Sequence, residues 1–279
     1  MSEAKTVSAG GIEMYVHDVG EGDRAFVLVH GFTGSSDDFV DVLPALSAHG
    51  RTIAPDNRGH GDTTNQGTGY TLEGMSRDLG ACLDALGIER CDLLGHSLGG
   101  MIALRFVLAH PERVQSLVLM DTAARSADGM TSDVLAVPIQ IARTQGMAAL
   151  AKLLRAAGPM ANPPAGSPLA RSIERMGEER FWSRIEAKLT KMDPEAFACL
   201  GETLGTQQPV TDRLAEIACP TTVVVGAKDT AFLEPSNELA DGIPGATLAV
   251  IPDAMHSPQF ENEPAWLEAI TAHISRARS

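Results

Sequence analysis

Ser97 sits in the pentapeptide Gly95-His96-Ser97-Leu98-Gly99, between apolar runs at residues 91–94 and 101–108. A serine with glycines two residues before and two after suits a sharp strand-to-helix reversal. There its hydroxyl stands exposed and neighbouring backbones can pass close by. The helix that follows turns N–H groups and the positive end of its dipole to the same place. Such a position favours an anion, and acyl transfer generates one on the attacked carbonyl oxygen.

A serine nucleophile needs a base and an acid, and for this kind of elbow the chain order is Ser, then acid, then His. The run Thr221-Thr222-Val223-Val224-Val225-Gly226 reads as a buried strand, and Ala227-Lys228-Asp229 follows it. Asp229 is the leading acid. A second strand, residues 247–251, runs into Pro252-Asp253-Ala254-Met255-His256, which makes His256 the leading base. Read singly, Asp229 could be a turn residue and His256 a surface histidine, because turns favour Asp and loops are polar. Their joint order at successive strand ends selects them. Asp121 also follows a strand, residues 114–120, but reads as a cap on that strand and not as the group that orients the base.

At these residues the chain resembles the α/β-hydrolase family. His30-Gly31-Phe32-Thr33-Gly34, after the strand at 25–29, is similar to the family's oxyanion loop. The resemblance implies that the backbone N–H groups of Phe32 and Leu98 would bind a tetrahedral oxyanion. Asp56-Asn57-Arg58-Gly59-His60-Gly61-Asp62-Thr63 resembles the D-x-R-G-H-G-x-S box of small hydrolases, with Thr63 where serine is usual. Residues 256–264 look like the segment that carries the catalytic histidine into the last helix. The family implies an α/β fold: a mostly parallel eight-stranded sheet, helices on both faces and a helical cap. It also implies a Ser97-His256-Asp229 triad working through an acyl-enzyme, with neither metal nor organic cofactor.

Residue types rank the activities within that family. Haloalkane dehalogenases and epoxide hydrolases use an aspartate nucleophile, and serine stands here. Hydrolases that cut carbon-carbon bonds in meta-cleavage products usually carry Asn before the serine and Trp after the histidine, where this chain has His96 and Ser257. Enol-lactonases and carboxylesterases fit best, so the expected substrate is a carboxylic ester or lactone of a small to medium organic molecule. Carbon-carbon hydrolysis and cofactor-free haloperoxidase or perhydrolase chemistry are the alternatives. A small-molecule receptor that keeps the fold is the non-enzyme alternative, since fold does not decide function.

The elements that must position these residues can be read along the chain. At 279 residues and 44% hydrophobic, it is long enough for one α/β domain with an insertion. Residues 12–19 and 25–29 read as an opening hairpin, a helix is expected over about 36–50, and another over 71–86 with Gly87 as its stop. Strand and helix alternate as far as residue 124 and again from 209, so 1–124 and 209–279 are the expected core domain. Residues 125–208 carry helical patterns without strands and read as an inserted cap. The Pro- and Gly-rich stretch 158–168 is expected to be a mobile connection within it. A helix over 171–191 presents Phe181, Trp182, Ile185 and Leu189 on one face; packing against the core is one reading, and Phe181 or Trp182 lining a pocket is the other.

Charge and cysteine usage narrow the partners. The formal charge is −14, and residues 125–208 hold 10 basic against 9 acidic side chains, leaving −15 on the remainder. That excess does not indicate nucleic-acid binding. No run approaches the roughly 20 apolar residues of a membrane span, and the N-terminus lacks an apolar signal core, so a soluble, cytoplasmic protein is expected. Cys82, Cys91, Cys199 and Cys219 lack metal-ligand spacing and read as buried free thiols. The expected partner is a small-molecule substrate, and no motif specifies an oligomeric state.

Overall fold

The computed structural model describes residues 3–126, 132–158 and 160–278. Eight strands, β1 (Glu3–Ala9), β2 (Ile12–Val19), β3 (Ala25–Val29), β4 (Arg51–Pro55), β5 (Cys91–His96), β6 (Val114–Met120), β7 (Thr221–Gly226) and β8 (Thr247–Ile251), form one sheet. Its order is β1-β2-β4-β3-β5-β6-β7-β8. The β1/β2 and β2/β4 pairs are antiparallel, and every pairing from β4 through β8 is parallel.

Strands β3, β5 and β7 are buried along their whole length, as continuous apolar runs covered on both faces should be. Alternate side chains divide between the two faces. Val27, Val29, Leu93 and Val223 pack with α2 (Leu72–Ala85), α3 (Leu98–Ala109) and α9 (Leu233–Gly242); Phe26, Leu28, Leu94 and Val224 pack with α1 (Leu43–Ser47) and with α11 (Glu263–Arg278), which follows the short α10 (Pro258–Glu261). Thr71 caps α2 by accepting the Gly74 N–H, and Gly87 follows its end at φ 68°.

Three local expectations need correction. The opening hairpin is β1/β2, not β2/β3: its two-residue turn is Gly10-Gly11, both at positive φ, whereas β2 pairs with β4 and β3 lies on the far side of β4. The helix expected over about 36–50 is instead a 3-10 turn at Ser36–Asp38 followed by the short α1. Pro44 sits in the first turn of α1, where its missing N–H is harmless, so the helix must restart there. The helix expected over 171–191 is two helices, α6 (Pro168–Met176) and α7 (Glu178–Lys191), broken at Gly177, whose φ of 90° a helix cannot hold.

Between β6 and β7 the described residues form no strand. They form α4 (Ala136–Gln145), α5 (Met147–Ala157), α6, α7 and α8 (Pro194–Thr206), with 3-10 turns at Ser132–Leu135 and Thr211–Glu216. Residues 127–131 and Pro159 of the expected cap lie outside the described residues. The segment is anchored to the sheet domain by Arg184 to Asp41 at 2.8 Å, Lys191 to Asp62 at 2.7 Å and Lys188 to Asp38. All four cysteines are free; Cys82 and Cys91 are buried, which pushes each thiol up to about 12, while Cys199 and Cys219 are only half-buried. Among the described residues no helix is long and apolar enough to cross a membrane.

Candidate active site

Ser97 lies between the end of β5 and the first residue of α3, with φ 52° and ψ −118°. Few L-residues adopt that conformation, and here the surroundings hold it. The Ser97 N–H donates to the Met120 carbonyl at 2.9 Å, and the Thr122 hydroxyl donates to the Ser97 carbonyl at 2.7 Å. Glycine is required on both sides. A Cβ on Gly95 would lie 2.3 Å from the Gly99 carbonyl oxygen, and one on Gly99 would lie 2.2 Å from that of Val29. Leu98 opens α3, so its N–H has no intrahelical carbonyl to bond.

Asp229 and His256 are brought together from the ends of adjacent parallel strands β7 and β8. The His256 Nδ1–H donates to Asp229 Oδ2 at 2.7 Å. Asp229 is buried, while the His256 side chain is 41% exposed. The Phe232 ring lies 4.8 Å from the His256 ring, covering it from the loop after β7.

His96, next to Ser97, ties the two halves of the candidate site. Its Nε2–H donates to the His256 carbonyl at 2.6 Å, and the two rings lie 5.1 Å apart. Burial above all, and then the neighbouring His256, push the His96 imidazole down to about 4, so it stays neutral through the physiological range.

The loop that carries Phe32 is fixed by two further buried histidines. His30 donates from Nδ1 to the Gly31 carbonyl at 2.8 Å and accepts the Asn57 N–H at Nε2 at 2.9 Å; burial pushes it down to about 3. His60 turns Nε2 to the Phe32 carbonyl at 2.6 Å and Nδ1 to the Arg58 carbonyl at 2.9 Å. Thr63 ties this box to its surroundings. Its hydroxyl donates to the Asp56 carbonyl at 2.8 Å and accepts the Tyr15 N–H at 3.0 Å.

Further rings pack around the Phe32 loop and the segment after His256. Phe32 stacks on Phe197 of α8 at 5.0 Å, and a Cβ on Gly201 one turn later would meet Phe32, Leu135 and Ile139 at 3.2 to 3.4 Å. Phe181 stacks on Phe260 at 6.3 Å, and Trp182 lies under the Arg155 guanidinium at 5.9 Å. Phe197 and Gly201 were not singled out because the apolar positions of α8 read as ordinary core packing. The only signal was the small residue one turn from an aromatic.

Asp121, Asp229 and His256 place one potential ligand atom each within 4.8 Å of one another. Much of that donor set is already committed, Asp229 Oδ2 to the imidazole and Asp121 Oδ1 to the Gly226 N–H at 2.9 Å. A metal there would displace the His256–Asp229 bond.

The family model described as alpha/beta hydrolase fold matches residues 24–263. A 2-hydroxy-6-oxo-2,4-heptadienoate hydrolase of Pseudomonas putida is 44% identical over 120 residues, 42% of this chain and 43% of that relative. The match thus spans less than half of that curated relative's length. A thermophilic esterase from Thermogutta terrifontis has the same fold with a TM-score of 0.84 and 26% identity, covering 100% of both chains. The enol-lactonase from Burkholderia xenovorans gives a TM-score of 0.83 at 25% identity, covering 97% of this chain and 100% of that one.

Proposed function

Because this chain belongs to the α/β-hydrolase family, we propose that it hydrolyses a carboxylic ester or lactone of a small to medium organic molecule through an acyl-enzyme on Ser97. The observation that carries the reading is the 2.7 Å hydrogen bond from His256 to Asp229, made beside a serine held at φ 52° on a strand-to-helix elbow. Free serine is a weak nucleophile, so His256 accepts its proton as the bond to the substrate carbonyl forms. Asp229 holds the tautomer with Nε2 unprotonated and stabilises the imidazolium. The N–H groups of Phe32 and Leu98 receive the oxyanion, each worth about 3 kcal/mol in comparable sites. The proton then passes to the leaving alcohol, and water activated by His256 releases the acid.

In this reading residues 125–208 are the lid of the site, with Phe197 and Gly201 shaping its apolar wall against Phe32. Phe181 and Trp182 act at one remove, Phe181 by stacking on Phe260 of the short α10 after His256 and Trp182 by packing edge-on against Phe181. The esterase and enol-lactonase likenesses over nearly the whole chain support ester or lactone chemistry. Four unpaired cysteines accord with a reducing, cytoplasmic setting.

A second reading, carbon-carbon hydrolysis, is favoured by the 44% identity to the heptadienoate hydrolase. His96 and Ser257 argue against it. The decisive experiment labels the protein with a fluorophosphonate, maps the adduct, and compares turnover of p-nitrophenyl esters and lactones with that of a vinylogous diketone acid. Label on Ser97 and ester turnover lost in Ser97→Ala, by on the order of a millionfold in comparable triads, are expected. Faster turnover of the diketone acid would reverse the ranking, and ester turnover that survives Ser97→Ala would refute the nucleophile.

A further inference from the structure

Asp121 ends β6 and is fully buried, at φ 44°. Its N–H donates to the Val224 carbonyl, and its Oδ1 accepts the Gly226 N–H, both at 2.9 Å. Its Oδ2 is buried and meets no donor among the described residues. The ionisable groups facing it are Asp229 and His256, within 4.8 Å, and Glu261 of the segment after His256. Two of those three are acids.

We propose that Asp121 is held as the un-ionised carboxylic acid and donates its proton in a hydrogen bond to the Asp229 carboxylate, acting as a positioning residue for the Asp229–His256 pair. The inference rests on the reading of Asp229 as the group that orients His256. Two carboxylates this close in a buried space cannot both ionise cheaply, and one shared proton relieves the repulsion. The proton belongs on Asp121. Asp229 already receives the His256 N–H, whereas Asp121 Oδ2 has nothing to compensate a negative charge. Burial, and after it the Asp229 charge, accordingly raise the Asp121 carboxyl well above the ordinary range. The bond leaves Asp229 with a donor on each side of its carboxylate and so fixes the plane in which Oδ2 meets His256.

Infrared difference spectroscopy of the wild type against Asp121→Asn at neutral pH tests the protonation without substrate. The expected result is a carboxylic-acid C=O stretch present in the wild type and absent from the variant; no such band lost would overturn the proposal. The same band should move in Asp229→Asn, where the acceptor becomes an amide oxygen, and a band unmoved there would also overturn it. Turnover tests the positioning. Asp121→Gly suits the backbone but offers no donor, and should lose about tenfold in kcat; Asp121→Asn, whose amide N–H stands where the acid proton was, should recover most of that loss. An Asp121→Gly variant with full kcat would overturn the positioning role. If Asp121 were ionised instead, Asp121→Asn would remove a buried negative charge and move the acidic limb of kcat/KM to lower pH; a limb that stays in place is expected. A protein that shows the band but does not hydrolyse esters would refute the proposed activity while leaving the shared proton standing.

Discussion

Replacing His96 by glutamine should leave stability little changed at neutral pH and raise it above the wild type in acid. The imidazole is buried and gives Nε2–H to the His256 carbonyl at 2.6 Å. A glutamine amide can reach the same acceptor, so at about pH 7 the substitution should cost no more than about 1 kcal/mol. Burial, with His256 next in weight, pushes the folded ring from 6.5 down to about 4. The unfolded chain therefore takes up a proton that the folded ring refuses, and the contribution of His96 is fully present above 6.5 and lost as pH falls through about 4. At about pH 4.5 the difference amounts to about two pH units at about 1.4 kcal/mol each, or about 2.8 kcal/mol, reduced by about 0.2 kcal/mol as the folded ring begins to protonate. Glutamine does not titrate, so the two stability curves should cross between those pH values. Urea unfolding followed by the fluorescence of Trp182 and Trp266 at both pH values measures the gap. Parallel curves would show that His96 is charged in the folded protein or already solvated, and would refute the reasoning.

Asp229→Asn should lower turnover by about ten-thousandfold, as the analogous change does in serine proteases, because the amide N–H opposes the required histidine tautomer; a loss below about tenfold would move the acid elsewhere. Gly99→Ala drives a Cβ to 2.2 Å from the Val29 carbonyl oxygen and 2.6 Å from that of His30. It should cost more than about 3 kcal/mol or prevent folding, and a wild-type melting temperature would contradict the elbow geometry. Phe197→Ala removes a buried ring stacked on Phe32. It should cost about 3 kcal/mol in stability and shift kcat/KM towards bulkier esters, with an unchanged chain-length profile counting against a wall at this position.

The parts of the fold that were legible in the sequence are those set by local patterns. The apolar runs of β3, β5 and β7, the Thr71 cap and Gly87 stop of α2, and the glycines about Ser97 all announce themselves within a few residues. Strand β1 does not. As an edge strand it exposes Lys5, Thr6 and Ser8 and needs no apolar alternation, so its only signal was the Gly10-Gly11 turn that joins it to β2. The break at Gly177 was legible in principle, but a dense run of Arg and Glu on either side outweighed one glycine in the periodicity.

The site divides along a different line. Ser97, Asp229 and His256 each follow a strand of one sheet, and chain order suffices to select them. What the other buried polar groups do depends on register, which is not a local property. Met120 is paired with Val224, and this places the following Asp121 where the Gly226 N–H can reach its Oδ1 and where its carboxyl group comes within 4.8 Å of Asp229 and His256. Read along the chain, the two aspartates are rivals for one role, because each ends a strand near a catalytic loop. Read across the sheet, they cannot be rivals. Among the described residues only Asp229 hydrogen-bonds the His256 ring, and the buried carboxyl beside it has a single backbone donor of its own. His96 follows the same logic: its type alone marks no role, yet its place as the last residue of β5 brings its ring to the His256 backbone. The residues proposed to act on substrate are thus marked by motif, whereas those that hold them are marked by what the sheet register leaves without a partner.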